Sequence, residues 1–172
     1  MREPAEKLVV RHIHEEEHTQ VSIILEEASL WLMEKGQPMW TESQYSVHGL
    51  LNRYRSADMC LGFIGQQAVA AMILPEQKPS YWPDDSQPSL YLHKLAVRRS
   101  YSGTGVAAGM VAWAIEQAAL RGKYALRLDC ASDRSQLCAF YEKQGFVKLK
   151  ETLLYNQYPT AFYEISTFGM ST

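Results

Sequence analysis

Between Leu92 and Gly122 the chain reads LHKLAVRRSYSGTGVAAGMVAWAIEQAALRG. An apolar run with strand character stops at Arg98-Arg99. Ser102-Gly103-Thr104-Gly105 follows, and then an alanine-rich amphipathic run. Glycines between a strand and a helix let backbone N–H groups approach a ligand closely, and the helix N-terminus adds partial positive charge. The chemistry favoured there is anion binding, of phosphate above all. Two well-known phosphate loops do not fit. A P-loop needs Gly-x-x-x-x-Gly-Lys-Ser/Thr, and no lysine follows these glycines. A Rossmann loop needs Gly-x-Gly-x-x-Gly in the first βαβ unit of its domain. Here Gly103-Thr-Gly105-Val-Ala-Ala-Gly109 is one residue longer, and about 90 residues precede it.

A second motif lies downstream. It runs Arg134-Ser-Gln-Leu137-Cys-Ala-Phe140-Tyr141-Glu-Lys-Gln-Gly145-Phe146. Together with LAVRRSYSGTGVAAGMVAWAIEQA it resembles the GNAT superfamily of N-acetyltransferases. Their acetyl-CoA motif, Gln/Arg-x-x-Gly-x-Gly/Ala, reads here Ser102-Gly103-Thr104-Gly105-Val106-Ala107. Their downstream pattern, Asn-x-x-Leu-x-x-Phe-Tyr-x-x-x-Gly-Phe, is the run from Arg134 to Phe146. The resemblance is specific in the C-terminal half and topological before about residue 57. Two positions depart from the family. Ser102 replaces Gln or Arg, which removes a side-chain contact to the pyrophosphate, and Arg98 or Arg99 offers a substitute. Arg134 replaces an Asn that often sits beside the pantetheine arm. Neither change touches the backbone cradle.

The resemblance implies acetyl transfer from acetyl-CoA to an amine. An amine must lose a proton, the developing oxyanion needs a donor, and the departing thiolate needs an acid. Tyr141 matches the family tyrosine that faces the CoA sulfur, and a phenol with a pKa of ~10 can protonate a thiolate. The backbone of Leu95, Ala96 and Val97 is implied to hold the pantetheine, with one N–H polarising the thioester carbonyl. Ser102, Gly103, Thr104, Gly105, Val106 and Ala107 are implied to hold the pyrophosphate, with Arg134 and Tyr141 completing the cofactor site. YLHKLAV also looks like the His-Leu-His-Ala-Leu-Ala-Val strand of arylalkylamine acetyltransferases. His93 matches its second histidine and Tyr91 replaces the first. Along an unbroken strand Tyr91, His93 and Leu95 share one face, and an imidazole with a pKa near 6.5 suits base work. The acceptor side is implied to come from the first helices and the loops opposite CoA. These carry Trp40, Tyr45, His48, Tyr81, Trp82, Asp84 and Asp85. Aromatics with acids can hold an organic cation, although each residue alone reads as ordinary core or surface.

The elements that must position these residues follow from pattern. KLVVRHI reads as a strand. Val21, Ile24, Leu25, Ala28, Leu32 and Met33 recur at helical spacing, and Gly36 ends that run. TESQYSVHGLLNRYRS predicts one short helix with Thr41 as its cap. MCLGFIGQQAVAAMILPE predicts two strands around a turn, and QKPSYWPDDSQPS a loop. SLYLHKLAV reads as one strand, and a helix runs from about Thr104 to Leu120. YALRLDC, the helix SDRSQLCAFYEKQG, and the strands FVKLKETLLYNQ and TAFYEIST close the chain. The order predicts an α/β (α+β) layer fold. With the resemblance it becomes a GNAT fold, a single mixed sheet of about seven strands flanked by about four helices. The 172 residues are expected to form one domain.

Composition narrows the classes further. Hydrophobic residues make up 47% of the chain, enough for a normal core. The net charge of -2 argues against a nucleic-acid binder held by bulk electrostatics. His14 and His18 would share a helix face, but Glu15, Glu16 and Glu17 cannot all join them, so no metal is expected. Cys60, Cys130 and Cys138 lack Cys-x-x-Cys spacing and read as reduced thiols. No apolar run approaches the ~20 residues of a membrane span, and the N-terminus lacks a signal peptide's apolar core. The expected location is the cytoplasm. The leading expectation is an N-acetyltransferase acting on a small-molecule amine. Alternatives are a protein or peptide N-terminus as acceptor, or a non-catalytic acyl-CoA-binding module. A homodimer is an option for assembly by analogy with relatives.

Overall fold

The computed structural model describes residues 6–83 and 87–168. The chain packs as two compact units, Met1–Leu74 with His93–Met110, and Pro75–Leu92 with Val111–Thr172.

In the first unit, β1 (Leu8–His12), β2 (Met59–Ile64), β3 (Gln67–Ile73) and β5 (His93–Val97) form an antiparallel sheet in the order β1-β2-β3-β5. Helix α1 (His18–Glu34) packs on one face through Val21, Ile24 and Leu25, which meet Leu61, Ala71, Ile73 and Ala96. Arg11 on β1 grips the Glu17 carboxylate with two hydrogen bonds of 2.7 and 2.9 Å, which fixes the entry into α1. The single helix expected over residues 41–56 is two. Thr41 and Gln44 cap α2 (Glu42–Tyr45), with the Thr41 N–H donating to Gln44 Oε1 at 2.8 Å. Ser46 then takes extended dihedrals and its Oγ accepts from the Gly49 N–H at 3.0 Å, starting α3 (Val47–Arg53). A serine that caps a new helix cannot also continue the old one.

In the second unit, β4 (Ser89–Tyr91), β6 (Ala125–Ala131), β7 (Val147–Leu154) and β8 (Tyr158–Ser166) form a mixed sheet in the order β4-β6-β8-β7. Only the β4–β6 pair is parallel. Helix α5 (Ser135–Lys143) buries Cys138 and Tyr141. Helix α4 (Val106–Leu120) starts in the first unit and continues into the second.

Eight strands in two four-stranded sheets thus stand where one sheet of about seven was expected, and five α-helices where about four were expected, among the described residues. The difference lies mainly in SLYLHKLAV. This run is two strands separated by Leu92, whose N–H bonds to the Arg127 carbonyl at 2.8 Å. β4 pairs with β6, whereas β5 pairs with β3. The mixed α/β architecture itself is as expected.

Candidate active site

The glycine turn follows β5 through a short helical turn at Arg99–Tyr101. The Tyr101 carbonyl accepts the Thr104 N–H at 3.4 Å and is also met by the Thr104 hydroxyl. Gly103 and Gly105 have φ of 74° and 87°, a left-handed region that a Cβ disfavours. A side chain at either would meet nothing within 4 Å, so the turn faces open space. The first intrahelical bond of α4 runs from the Gly109 N–H to the Gly105 carbonyl at 3.0 Å. The N–H groups of Val106, Ala107 and Ala108 precede that ladder, and no acidic residue lies in the first turn. This is an arrangement for an anion.

β5 is an edge strand, paired with β3 on one side only. The Arg98 N–H bonds to the Val69 carbonyl at 2.8 Å. By the alternation of an antiparallel ladder, Ala96 then directs its backbone groups at β3, and Val97 directs its own at the open edge. Of Leu95, Ala96 and Val97, Ala96 is therefore the one turned inward. The strand also carries a bulge. Ala71 pairs with Ala96 and Ile73 with His93, so the step from 71 to 73 on β3 meets the step from 93 to 96 on β5. The extra residue falls where Lys94 takes φ of 52°.

The bulge corrects the expected face. Cross-strand partners point the same way, so His93 shares its face with Ala96, Ala71 and Ile73 rather than with Leu95. This is the face covered by α1 and α3, where Trp40 and Tyr54 also pack. The His93 ring lies 5.7 Å from that of Tyr54. Burial, with a smaller push from the Lys94 charge, lowers the His93 pKa to about 4. Its imidazole is neutral at pH 7, but it is a weaker base than the ordinary value near 6.5 implies. Lys94, adjacent to it, lies 5.2 Å from the Trp40 ring centre. Burial and then the Arg53 charge lower its pKa to about 8. Sequence reasoning passed over Lys94, Arg53 and Tyr54. The available signal was a lysine in the middle of an apolar strand.

The other expected residues fall as follows. Tyr91 belongs to β4, where its hydroxyl accepts from Arg127 Nη1 at 3.2 Å. Arg98 donates through Nε to the Ala68 carbonyl at 3.0 Å and lies 3.9 Å from Glu27. The Arg99 guanidinium stacks 3.5 Å from the Trp31 ring centre. Both arginines thus make contacts with α1 and β3. Tyr45 packs against the first core, and exposed His48 meets Asn52 at 3.2 Å. Tyr81 and Trp82 both donate to Asp129 Oδ1, at 3.1 and 3.2 Å, so they tie their loop to β6. Asp84 and Asp85 lie outside the described residues. His18 meets the Ser56 hydroxyl at 2.7 Å, while His14 lies 3.8 Å from Glu17. Among the described residues no group of three or more His, Cys, Asp and Glu is arranged to hold a metal.

Arg134 and Tyr141 belong to the second unit. Arg134 precedes α5 without capping it through its side chain, since a guanidinium has no acceptor. Tyr141 packs edge-on against Phe140 and Phe146, with ring centres 5.1 and 5.7 Å away. Burial pushes its phenol pKa up, and Cys130 and Asp129 add to the shift. The proton therefore stays on the oxygen at neutral pH.

A glycine turn that offers helix N–H groups, set after a strand with one free edge, suits a long ligand with a phosphate part and an amide-bearing arm. CoA thioesters have both parts, and the geometry is compatible with a CoA-dependent acyltransferase. The comparisons narrow the class. The model described as the acetyltransferase (GNAT) family matches residues 24–146, well over half of the chain, and the chain belongs to that family. It is an acetyltransferase that takes its acetyl group from acetyl-CoA. The uncharacterized N-acetyltransferase YesJ of Bacillus subtilis (strain 168) is 27% identical over 139 residues, covering 76% of this chain and 77% of YesJ. A GNAT-family acetyltransferase from Listeria monocytogenes 4b F2365 shares the fold with a TM-score of 0.78 at 20% identity, over 92% of this chain and 94% of that one. The fold is also that of yncA from Salmonella typhimurium, solved with its cofactor acetyl-CoA. The TM-score there is 0.69 at 10% identity, over 96% and 97% of the two chains. Among the described residues no helix is long and apolar enough to cross a membrane.

Proposed function

We propose that the protein transfers the acetyl group of acetyl-CoA to the primary amine of a small molecule, by direct attack with both substrates bound together. The observation that carries this reading is the positive-φ turn at Gly103 and Gly105 beside the free edge of β5, in a chain of this family. We take the 172 residues as one such domain, because the chain passes between its two units after Leu74, Leu92 and Met110. The backbone from Ser102 to Ala107 holds the pyrophosphate, and Leu95, Ala96 and Val97 supply the strand along which the pantetheine lies. Within that strand Val97 makes the amide contacts. Arg134 and Tyr141 complete the cofactor site. When bound, acetyl-CoA supplies an activated acetyl thioester.

The chain's own residues handle the protons. His93, held neutral by burial, accepts the proton that the amine releases as it attacks. Tyr141 keeps its phenolic proton and donates it to the departing sulfur. A compact acceptor is favoured over a peptide because His93 and Lys94 are both half-buried at the bulge. Three thiols without a disulfide support a cytoplasmic location. An acetyl-transfer assay over a panel of small amines and peptides, read by release of free CoA thiol, tests the reading. Thiol release with small amines supports it. Release with peptides alone moves the acceptor to a polypeptide N-terminus.

A further inference from the structure

The ammonium at the β5 bulge has no carboxylate partner among the described residues. Lys94 is half-buried on a bulge, at a positive φ. Outside the Tyr155-Asn156 turn, no other described non-glycine residue has a positive φ. Its ammonium lies over the Trp40 ring at 5.2 Å, and Trp40 is held in turn by Ser29, whose Oγ donates to the Trp40 carbonyl at 2.6 Å. Burial lowers the Lys94 pKa most, and the charge of Arg53, which closes α3 next to Tyr54, adds to that. The neighbouring His93 is neutral and stacks at a tilt with Tyr54. Elsewhere in the same unit the buried or half-buried arginines are matched, Arg11 by Glu17 and Arg98 by Glu27. Among the described residues no carboxylate forms an ion pair with Lys94 or Arg53.

Two like charges, one of them drawn into a protein face, raise the energy of the fold unless something answers them. Arg53 has some support from the carbonyl end of α3, and Lys94 from the Trp40 ring. Neither contact supplies a hydrogen-bond acceptor for the ammonium protons. Lys94 lies over one face of the Trp40 ring.

We propose that the acetyl acceptor is an amine that also carries a carboxylate, and that Lys94, assisted by Arg53, binds that carboxylate against the Trp40–Tyr54 side of β5. This rests on the acetyltransferase reading above and names the substrate class for the same site. The carboxylate gives the ammonium the charge-assisted acceptor it lacks. It also sets the amine on the face occupied by His93. A nearby positive charge favours the unprotonated amine, which is the nucleophilic form.

The test compares matched pairs that differ only at this group, a panel of α-amino acids and their C-terminal amides as acceptors. At least one amino acid is expected to exceed its amide by about tenfold or more in kcat/KM, as expected when a site built for a polar group meets an analogue lacking it. Lys94→Gln brings that ratio close to one through KM, Lys94→Arg restores it, and Arg53→Gln lowers it partway. Equilibrium binding of the corresponding N-acetyl-amino acids and N-acetyl-amino amides, followed by tryptophan fluorescence, reads the same preference without turnover. If no amine releases thiol, the acetyltransferase reading fails, while the binding pair still reports on Lys94. Amides that match or exceed every carboxylate overturn the proposal. So does a preference that survives unchanged in folded Lys94→Gln.

Discussion

At the residue scale the chemistry is decided by where protons rest. Burial keeps the Tyr141 phenol protonated, so it can act as an acid but not as a base. Tyr141→Phe is expected to lower kcat by about 10²–10⁴-fold while the dissociation constant for acetyl-CoA changes little. Steady-state kinetics alongside calorimetric binding measures both. His93 behaves in the opposite sense to a stabilised histidine. Its folded pKa, about 4, lies below the ordinary 6.5, so between these values the unfolded chain binds the extra proton. Stability should therefore rise with pH through that window and fall as pH drops from 6.5 toward 4, by roughly 2–4 kcal/mol. Urea denaturation at stepped pH should show a smaller loss for His93→Gln. Lys94, near 8, keeps its charge below that pH. The ratio of amide KM to carboxylate KM should therefore fall more steeply as pH rises through about 8 than it does in Lys94→Arg, and dividing the two profiles cancels the acceptor amines' own titrations.

At the element scale, two short features position these groups. The turn between β5 and α4 needs left-handed residues, and open space around Gly103 means that conformation alone sets the cost of a side chain. Gly103→Ala should destabilise by about 1–2 kcal/mol, Gly103→Asn by less, as thermal or chemical melts will show. The second sheet depends on Arg127, fully buried and held by Glu164 at 2.8 Å and by the Tyr91 hydroxyl at 3.2 Å. Glu164→Gln leaves that cation poorly compensated and should cost about 3–5 kcal/mol, more than Arg127→Met. The turn was legible in advance because glycine spacing is a local signal. The break at Leu92 was not, because the run from Leu90 to Val97 is apolar or aromatic throughout except at His93 and Lys94. Pairing with β6 on one side and β3 on the other is decided by residues far along the chain. The face of His93 was misjudged for the same reason, since one extra residue in a strand moves every side chain beyond it to the other face.

At the scale of the whole molecule, the element order and two motifs were enough to recognise the family. The proposed carboxylate site was harder to read because its residues are scattered over the end of α3, the loop before α2 and the bulge in β5. What joins Trp40 to Lys94 and Tyr54 to His93 is contact within the first unit rather than a run of sequence. Tyr81 and Trp82 give the converse case. As residue types they suit a binding site, but their polar atoms are both engaged by Asp129. The central claim is that this chain acetylates an amine rather than only holding acyl-CoA. Amine-dependent release of CoA thiol from acetyl-CoA by the purified protein measures this most directly. The account predicts release that rises and saturates with an amine bearing a carboxylate and falls sharply in Tyr141→Phe. Tight binding of acetyl-CoA with no thiol released by any amine would contradict it.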